Sequence, residues 1–315
     1  MSLESDGLNV LTVTGEPALR ESISRPPSEV IHAVQLEMTA TDWLEPGDEG
    51  LLLRPTWIQW VAPVDHGAID LISRQSKRRS HRTRVAVKAL DAMDVQMSGP
   101  IDEKLFDEWA HLYQAQVESM RFGHDIAIRN RSSLLAADSD LFLIAWRENG
   151  RMVCGMIARF DPARSALVTR FSAVAASHRS SELPRAMYAK LADIAAQRGA
   201  RWLSAGNDIN FFATVCSPGL AAFKMRLGFR PVPADLLGNS SCRTVAEVVT
   251  STAGLNLPVL RFGYRRPRSG ASCLETFLDG PDALELVSVT PEGTTNALLE
   301  SLPSHRRLTL AASRT

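Results

Sequence analysis

Three apolar runs separated by short polar turns lie between residues 141 and 174. The first turn contains Asn149-Gly150, the dipeptide most typical of a tight β-hairpin, and the second is the polar segment 161–164. Apolar runs that recur about every ten residues with turn signals between them predict antiparallel strands. This part of the chain therefore predicts a three-stranded meander, which other elements must cover on its apolar faces.

The segment after this meander changes to helical spacing. A run of apolar residues from Leu183 ends at Arg198-Gly199, a basic last turn followed by the glycine that commonly ends a helix. The next elements, by the same criteria, are a strand at 202–205, a helix at 218–227 that Gly228 closes, and a strand from 229. Residues 140–235 thus predict an α/β fold in the order strand, strand, strand, helix, strand, helix, strand.

Composition limits the function classes. The chain has 315 residues, of which 45% are apolar, enough to bury a sizeable core. Its 35 basic and 35 acidic residues balance, which argues against a general nucleic-acid coat but allows a local basic patch. Four cysteines without a CxxC pair and seven scattered histidines favour reduced thiols without a metal site. We expect a cytoplasmic protein, because no signal peptide and no run of about 18 apolar residues is present.

The N-terminal part has fewer signals. Trp43, Trp57 and Trp60 lie close together in sequence and predict a core anchor, with a substrate wall as the alternative. A basic run at 74–88 is either a solvated face or a site for phosphates or another anion. Asp102 is a candidate cap for the helix that follows it.

Two short segments carry a family resemblance. Residues 199–205 (GARWLSA) and 223–229 (FKMRLGF), with the element order of 140–235, resemble the GNAT acyltransferase superfamily. The resemblance implies a GNAT-like fold, with a mixed, largely antiparallel sheet flanked by helices. It also implies that this sheet splays between its fourth and fifth strands, where the arm of an acyl donor binds. It also implies direct attack of an acceptor amine on the donor carbonyl.

Two departures from the usual GNAT pattern bear on the donor. The loop at 176–184 contains Arg179 and Glu182 but no glycine, whereas GNAT enzymes usually have a basic, glycine-rich loop there for the pyrophosphate of CoA. Phe223-Lys224 stands where a tyrosine is common. A Phe-Lys pair before this glycine is similar to the Fem family, the tRNA-dependent peptidoglycan-bridge transferases, and to FemAB-like relatives. That similarity implies aminoacyl transfer from tRNA, with Lys224 stabilising the oxyanion.

The predicted site residues fall into three groups. The predicted catalytic residues are Lys224, Asp208 and Asn207. The predicted donor-binding residues are Phe223, Ser204, His178, Arg179, Ser180 and Ser181. The predicted residues for phosphate or acceptor binding are Arg78, Arg79 and Arg82. The alternatives are a Lys224 ammonium in solvent, a turn or helix-cap role for Asp208, and an exposed loop position for His178.

The predicted organisation and function are as follows. Residues 1–135 are predicted to form an N-terminal region, which is either a degenerate second GNAT-like copy or an acceptor-binding part. Residues 136–290 are predicted to form a GNAT-like domain, and residues 291–315 a tail. The function is transfer of an acyl or aminoacyl group to an amine of a small molecule or peptide, without a tightly bound cofactor, a metal or a membrane partner. Aminoacyl-tRNA is the preferred donor and acyl-CoA the alternative, and a non-catalytic GNAT-fold binding module is the third possibility.

Overall fold

A computed structural model describes most of the chain and divides it into two compact units. The described residues are 3–5, 8–24, 33–38, 51–120, 123–136, 139–179, 182–212, 218–250, 259–265, 273–278, 280, 282–289 and 306–308. The first unit comprises Met1–Gln59, Asn207–Phe223 and Pro231–Thr315, and the second comprises Trp60–Gly206 and Lys224–Arg230. The two units are discontinuous in sequence because the chain contributes to each of them more than once, and the boundaries predicted at 135/136 and 290/291 stay predictions.

The second unit contains most of a seven-stranded sheet. The elements that lie wholly within it are α2 (Ala68–Ser73), α3 (Lys77–Asp91), β6 (Asp94–Ser98), α4 (Glu103–Glu118), α5 (Ile126–Arg129), α6 (Arg131–Leu134), β7 (Leu141–Glu148), β8 (Arg151–Asp161), β9 (Ala166–Val174) and α7 (Leu183–Gln197). Four elements have residues in both units: β5 (Trp57–Pro63), β10 (Trp202–Ile209), α8 (Pro218–Arg226) and β11 (Arg230–Pro233). The strand order is β11-β5-β10-β9-β8-β7-β6.

The strand pairings confirm the predicted fold class. β6, β7, β8 and β9 pair antiparallel in succession, and β9 pairs parallel with β10. Asn149 and Gly150 both have positive φ, 51° and 76°, as the tight hairpin between β7 and β8 requires. The sheet is thus mixed and largely antiparallel, and the predicted meander is its antiparallel part β7-β8-β9. Both α4 and α7 pack against the sheet.

The helix that Asp102 was expected to cap is α4. The Asp102 carboxylate accepts a hydrogen bond from the Leu105 backbone N–H at 2.9 Å, which satisfies a free donor of the first turn. The apolar face of α4 buries Trp109, whose ring stacks on Tyr113 at a centroid distance of 5.0 Å. This face packs on β7, β8 and β9, and it therefore fixes one side of the predicted meander.

The first unit has its own sheets. Its elements are β1 (Leu3–Ser5), β2 (Leu8–Val13), α1 (Glu16–Ser24), β3 (Ala33–Met38), β4 (Leu51–Pro55), β12 (Thr244–Val249), β13 (Val259–Gly263), α9 (Leu274–Leu278), β14 (Glu285–Val289) and β15 (Arg306–Leu308). One sheet has the order β1-β2-β3-β12-β4 and the other β13-β14-β15. β12 pairs antiparallel with both β3 and β4. A strand from the region 136–290 thus pairs with two strands from the region 1–135.

A buried ion cluster links β4, β12 and β13 of the first unit. The Nε atoms of Arg54 and Arg261 donate to the two carboxylate oxygens of Glu247, at 2.9 and 3.2 Å. All three side chains are at most 1% exposed. The two guanidinium carbons lie 4.2 and 4.1 Å from the ring centroid of Phe211. Burial alone would raise the pKa of Glu247, but the two guanidinium groups outweigh it and hold this pKa below its usual value.

The cysteines that the structure describes are free thiols, namely Cys154, Cys242 and Cys273, and Cys216 lies outside the described residues. Burial raises the pKa of the Cys154 thiol to about 12, whereas Cys273 is exposed. Because the thiolate is the nucleophile, we expect iodoacetamide at pH 8 to alkylate Cys273 in the native protein and to leave Cys154 unmodified. Peptide mass spectrometry with and without denaturant measures this. Equal native labelling of the two thiols would contradict the burial of Cys154.

Candidate functional site

β9 and β10 separate within the second unit, and we call the position where their pairing ends the parting of the two strands. Their parallel pairing joins Trp202 to Ala166 and ends at Ser204 and Val168, although both strands continue. Gly206 follows with φ of 82°, and a Cβ built at this glycine would lie 3.2 Å from the carbonyl oxygen of Thr169. The Ser204 hydroxyl accepts a hydrogen bond from the Gly206 N–H at 3.1 Å. A glycine with this conformation lets the two backbones separate.

Lys224 is buried on α8. Its side chain is 4% exposed, and its Nζ atom lies 5.7 Å from the ring centroid of Trp60, within the range of a cation–π interaction. The alternative of an ammonium in solvent is therefore wrong. Trp60 is fully buried on β5, as the core interpretation of the tryptophan cluster predicted. Trp57 is half-buried, and Trp43 lies outside the described residues.

The strand carrying Trp60 borders β10. Backbone hydrogen bonds from Val64 to Arg201 (2.9 Å) and from Asn210 to Thr56 (3.0 Å) show that β5 and β10 run antiparallel. Counting equally along both strands places Trp60 beside residue 205 from the first of these bonds and beside residue 206 from the second. The ring under the Lys224 ammonium thus belongs to the strand next to Ser204 and the parting of β9 and β10.

Most of the predicted basic run lies on α3, and the charges of two of its arginines act on an arginine of α7 together with the charge of an arginine of α8. We define the basic cluster as Arg79, Arg82, Arg185 and Arg226. Burial, and then the positive charges of Arg79, Arg82 and Arg226, lower the pKa of the Arg185 guanidinium. Glu182, just before α7, pairs with Arg185 and lies 3.2 Å from the Nε atom of Arg82. The remaining mutual repulsion is a physical reason for such a cluster to bind an anion.

The other predicted phosphate-binding residue, Arg78, is exposed on α3. Of the predicted donor-binding loop, Ser180 and Ser181 lie outside the described residues. The Arg179 Nε atom donates to the carbonyl of Val174 at 2.9 Å, and its Nη1 donates to the hydroxyl of Ser119. These bonds brace the loop against its own unit.

His178 has neighbours within the second unit. Its Nδ1 atom lies 2.9 Å from the Ser177 hydroxyl, and its Nε2 atom lies 3.7 Å from a carboxylate oxygen of Glu148. The side chain is 26% exposed. The imidazole therefore lies against its own loop and the end of β7, with part of its surface still accessible.

Three predicted residues belong to the first unit. Asn207 is exposed, Asp208 is buried and Phe223 is half-buried. Lys224 and Ser204 belong to the second unit. The candidate site described here is therefore built from residues of the second unit.

The sequence did not single out Arg185, Arg226 or Thr169. Two signals in the sequence could have indicated these arginines: Arg226 follows Lys224 by two positions, and Arg185 lies in the first turn of α7. Thr169 is 3% exposed, and its hydroxyl has no hydrogen-bond partner within the described part of the chain. It lies one residue beyond the last pairing of β9 with β10, so it places a polar group at the parting.

Other features of the structure lie apart from these residues. A cavity of about 330 Å³ lies between α3, β6, β7 and α7, and its lining does not include the predicted site residues. Over the described ranges, no three His, Cys, Asp or Glu side chains are grouped as a metal site would need. Within the same ranges, every helix is too short or too polar to cross a membrane.

Comparison with known proteins gives similarities to solved structures only. No protein-family model and no curated protein matches the chain. A crystal structure of FemX is 14% identical, with 77% of this chain and 81% of that chain covered and a TM-score of 0.46. The structure of L-PGS from Bacillus licheniformis is 11% identical, with 79% of each chain covered and a TM-score of 0.40.

A GNAT protein is also among these structures. Ribosomal-protein-alanine N-acetyltransferase from Brucella melitensis biovar Abortus 2308 is 21% identical, with 34% of this chain and 74% of that chain covered and a TM-score of 0.26. The solved structures that this chain is similar to thus include a Fem protein and a GNAT protein, the two groups that the sequence resembles. Identities and TM-scores this low carry no information about activity.

Proposed function

We propose that the chain is an N-acyltransferase that moves an aminoacyl group from tRNA to an amine of a small molecule or peptide. The basic cluster carries this proposal, because Arg82 and Arg185 share the carboxylate of Glu182 while the charges of Arg79 and Arg226 also act on Arg185, and such an arrangement suits the phosphates of a large donor. Glu182 pairs with Arg82 and Arg185, so it holds part of the cluster in place until an anion binds.

The chemistry that we propose is direct attack. The amine nitrogen bonds to the ester carbonyl carbon, the bond from that carbon to the ribose oxygen breaks, and the amine proton ends on the released hydroxyl. Charge develops on the carbonyl oxygen during this step, and a buried ammonium stabilises such charge well. Lys224 supplies this ammonium, and the parting of β9 and β10 offers unpaired backbone groups to the donor. The roles of Asn207, Asp208 and Phe223 remain predictions.

Binding of charged tRNA as a function of salt tests the donor. We expect Arg79→Gln with Arg82→Gln to weaken binding and to reduce the slope of log affinity against log salt by roughly one unit for each charge removed. Arg151→Gln is the matched control, since Arg151 is an exposed arginine of the same unit on β8. Fluorescence anisotropy with charged tRNA over a salt series measures both quantities.

The same titration with acetyl-CoA separates the other candidates. Saturable binding of acetyl-CoA without binding of tRNA would replace the proposal with an acyl-CoA transferase, since CoA also carries phosphates for the basic cluster. Binding of neither donor would favour the non-catalytic module. An equal effect of the double variant and Arg151→Gln would remove the basic cluster from the donor site.

A further inference from the structure

A bulge in β9 brings two arginines together on one face of the sheet. Ala158 of β8 pairs with Thr169, but the preceding residue Ile157 pairs with Phe171, so Arg170 is an extra residue in the ladder. Ile157 and Phe171 face α4, and Arg159 shares that face because it follows Ile157 by two positions. A bulge re-aims the side chain that it adds. Arg170 lies near enough to Arg159 for the positive charge of Arg159 to lower its pKa.

The charges at this position are not balanced. Burial, and then the positive charge of Arg159, lower the pKa of Arg170, whereas Asp140 raises it. Asp140 is 61% exposed, and its carboxylate lies 3.8 Å from the Nη1 atom of Arg159, too far for a hydrogen bond. The Arg159 Nε atom is buried and has no hydrogen-bond partner among the described residues. Two guanidinium groups thus share one carboxylate that lies too far away for a hydrogen bond. Arg170 is exposed as a residue, although its guanidinium is partly desolvated.

The position of the pair relates it to the candidate site. Arg170 follows Val168, the last residue of β9 that pairs with β10, by two positions. The pair therefore lies beside the parting of the strands but on the α4 face, whereas the basic cluster involves α3, α7 and α8. A second anion-binding position close to the parting suits the acceptor, which is the other substrate of a transfer reaction.

We propose that Arg159 and Arg170 bind a carboxylate of the acceptor, so that the acceptor is an amino acid or peptide with a free carboxylate as well as the attacking amine. This inference rests on the proposed function, because that function supplies the acceptor. The binding position itself is argued from the geometry of the two arginines. A guanidinium matches a carboxylate in a planar, bidentate arrangement, and a second guanidinium adds charge. The bound carboxylate replaces the distant Asp140 as the partner of both arginines.

Binding of a peptide probe in the absence of any donor tests this position. The probes are triglycine as the free acid and triglycine with a C-terminal amide, titrated by calorimetry into the full chain. We expect the free acid to bind at least roughly tenfold more tightly than the amide, and Arg170→Gln to remove that difference. Arg170→Lys keeps the charge without the planar fork, so we expect it to keep part of the difference. Arg151→Gln is the control on the same sheet, and melting temperatures check that each variant folds.

Equal binding of the two probes, or an equal loss in Arg170→Gln and Arg151→Gln, would overturn the inference. Inorganic phosphate is the third probe, and tighter binding of phosphate than of triglycine, lost in Arg170→Gln, would replace the carboxylate with a phosphate group. Because no donor is present, a failure here leaves the tRNA proposal standing. A failure to bind tRNA likewise leaves this result unchanged.

Discussion

Replacing Glu247 with Gln is expected to lower the free energy of unfolding by about 3–5 kcal/mol, the usual cost of removing one partner from a buried ion pair. Glu247 is fully buried, and its carboxylate accepts hydrogen bonds from both Arg54 and Arg261. The amide of Gln carries no charge and replaces one acceptor oxygen with an NH₂ group. Two buried guanidinium groups then lose the anion between them. Urea unfolding at pH 7, followed by circular dichroism, measures the change.

Glu37→Gln is the matched control for this prediction. Glu37 is 61% exposed on β3 of the same unit, and its carboxylate lies 3.1 Å from Arg243. An exposed ion pair of this kind contributes roughly 0–1 kcal/mol to the free energy of unfolding. An equal loss of stability in the two variants would show that the buried cluster has no special role.

The stability that Glu247 contributes also depends on pH. The folded pKa lies below the usual value of 4.5, so the folded state favours the charged carboxylate relative to the unfolded state. This contribution is complete above pH 4.5 and is lost as pH falls through the lower folded pKa. We therefore expect the difference between the parent protein and Glu247→Gln to be constant near neutral pH and to shrink in acid. A difference that grew in acid would contradict this sign.

Replacing Lys224 with Met is expected to slow aminoacyl transfer by about 10²–10³-fold, the loss that follows removal of one group that stabilises an oxyanion. Met keeps the length and packing of the side chain but removes the ammonium above the Trp60 ring. We expect binding of charged tRNA to change much less, because the basic cluster supplies the contacts to phosphate. Single-turnover transfer from charged tRNA measures the rate, and the salt titration measures the binding.

Lys190→Met is the control for Lys224. Lys190 lies on α7 of the same unit, and its ammonium pairs with Asp91 at 2.8 Å. Melting temperatures of both variants separate a loss of folding from a loss of chemistry. An unchanged transfer rate in a folded Lys224→Met protein would remove the proposed role.

The sequence predicted the part of the fold that local patterns determine. Apolar runs, the Asn149-Gly150 turn and the glycines at 199 and 228 depend on residues close in the chain, and the meander, α7 and α8 follow them. The Asp102 cap is local as well. The pairing of β12 with β3 and β4 joins residues about 200 positions apart, which no local pattern encodes. The two discontinuous units therefore could not be predicted.

The candidate site divides in the same way. Lys224 and Ser204 were found because they lie in short segments with a family resemblance, and Arg79 and Arg82 because they stand in a dense basic run. Arg185 and Arg226 join that run only through the packing of α3, α7 and α8, so the sequence showed half of the basic cluster. The burial of Lys224 was missed for the same reason, since only the fold places Trp60 under its ammonium.

The proposed donor is an aminoacyl-tRNA, and its amino acid ends on an amine. The most direct test supplies the protein with a charged tRNA pool carrying isotopically labelled amino acids, together with a mixture of peptides that have free amines and free carboxylates. A parallel reaction contains labelled acetyl-CoA instead of tRNA. We expect label in an amide product from tRNA, strongly reduced by Lys224→Met, and no product from acetyl-CoA. A labelled amide formed from acetyl-CoA alone would contradict aminoacyl-tRNA as the donor.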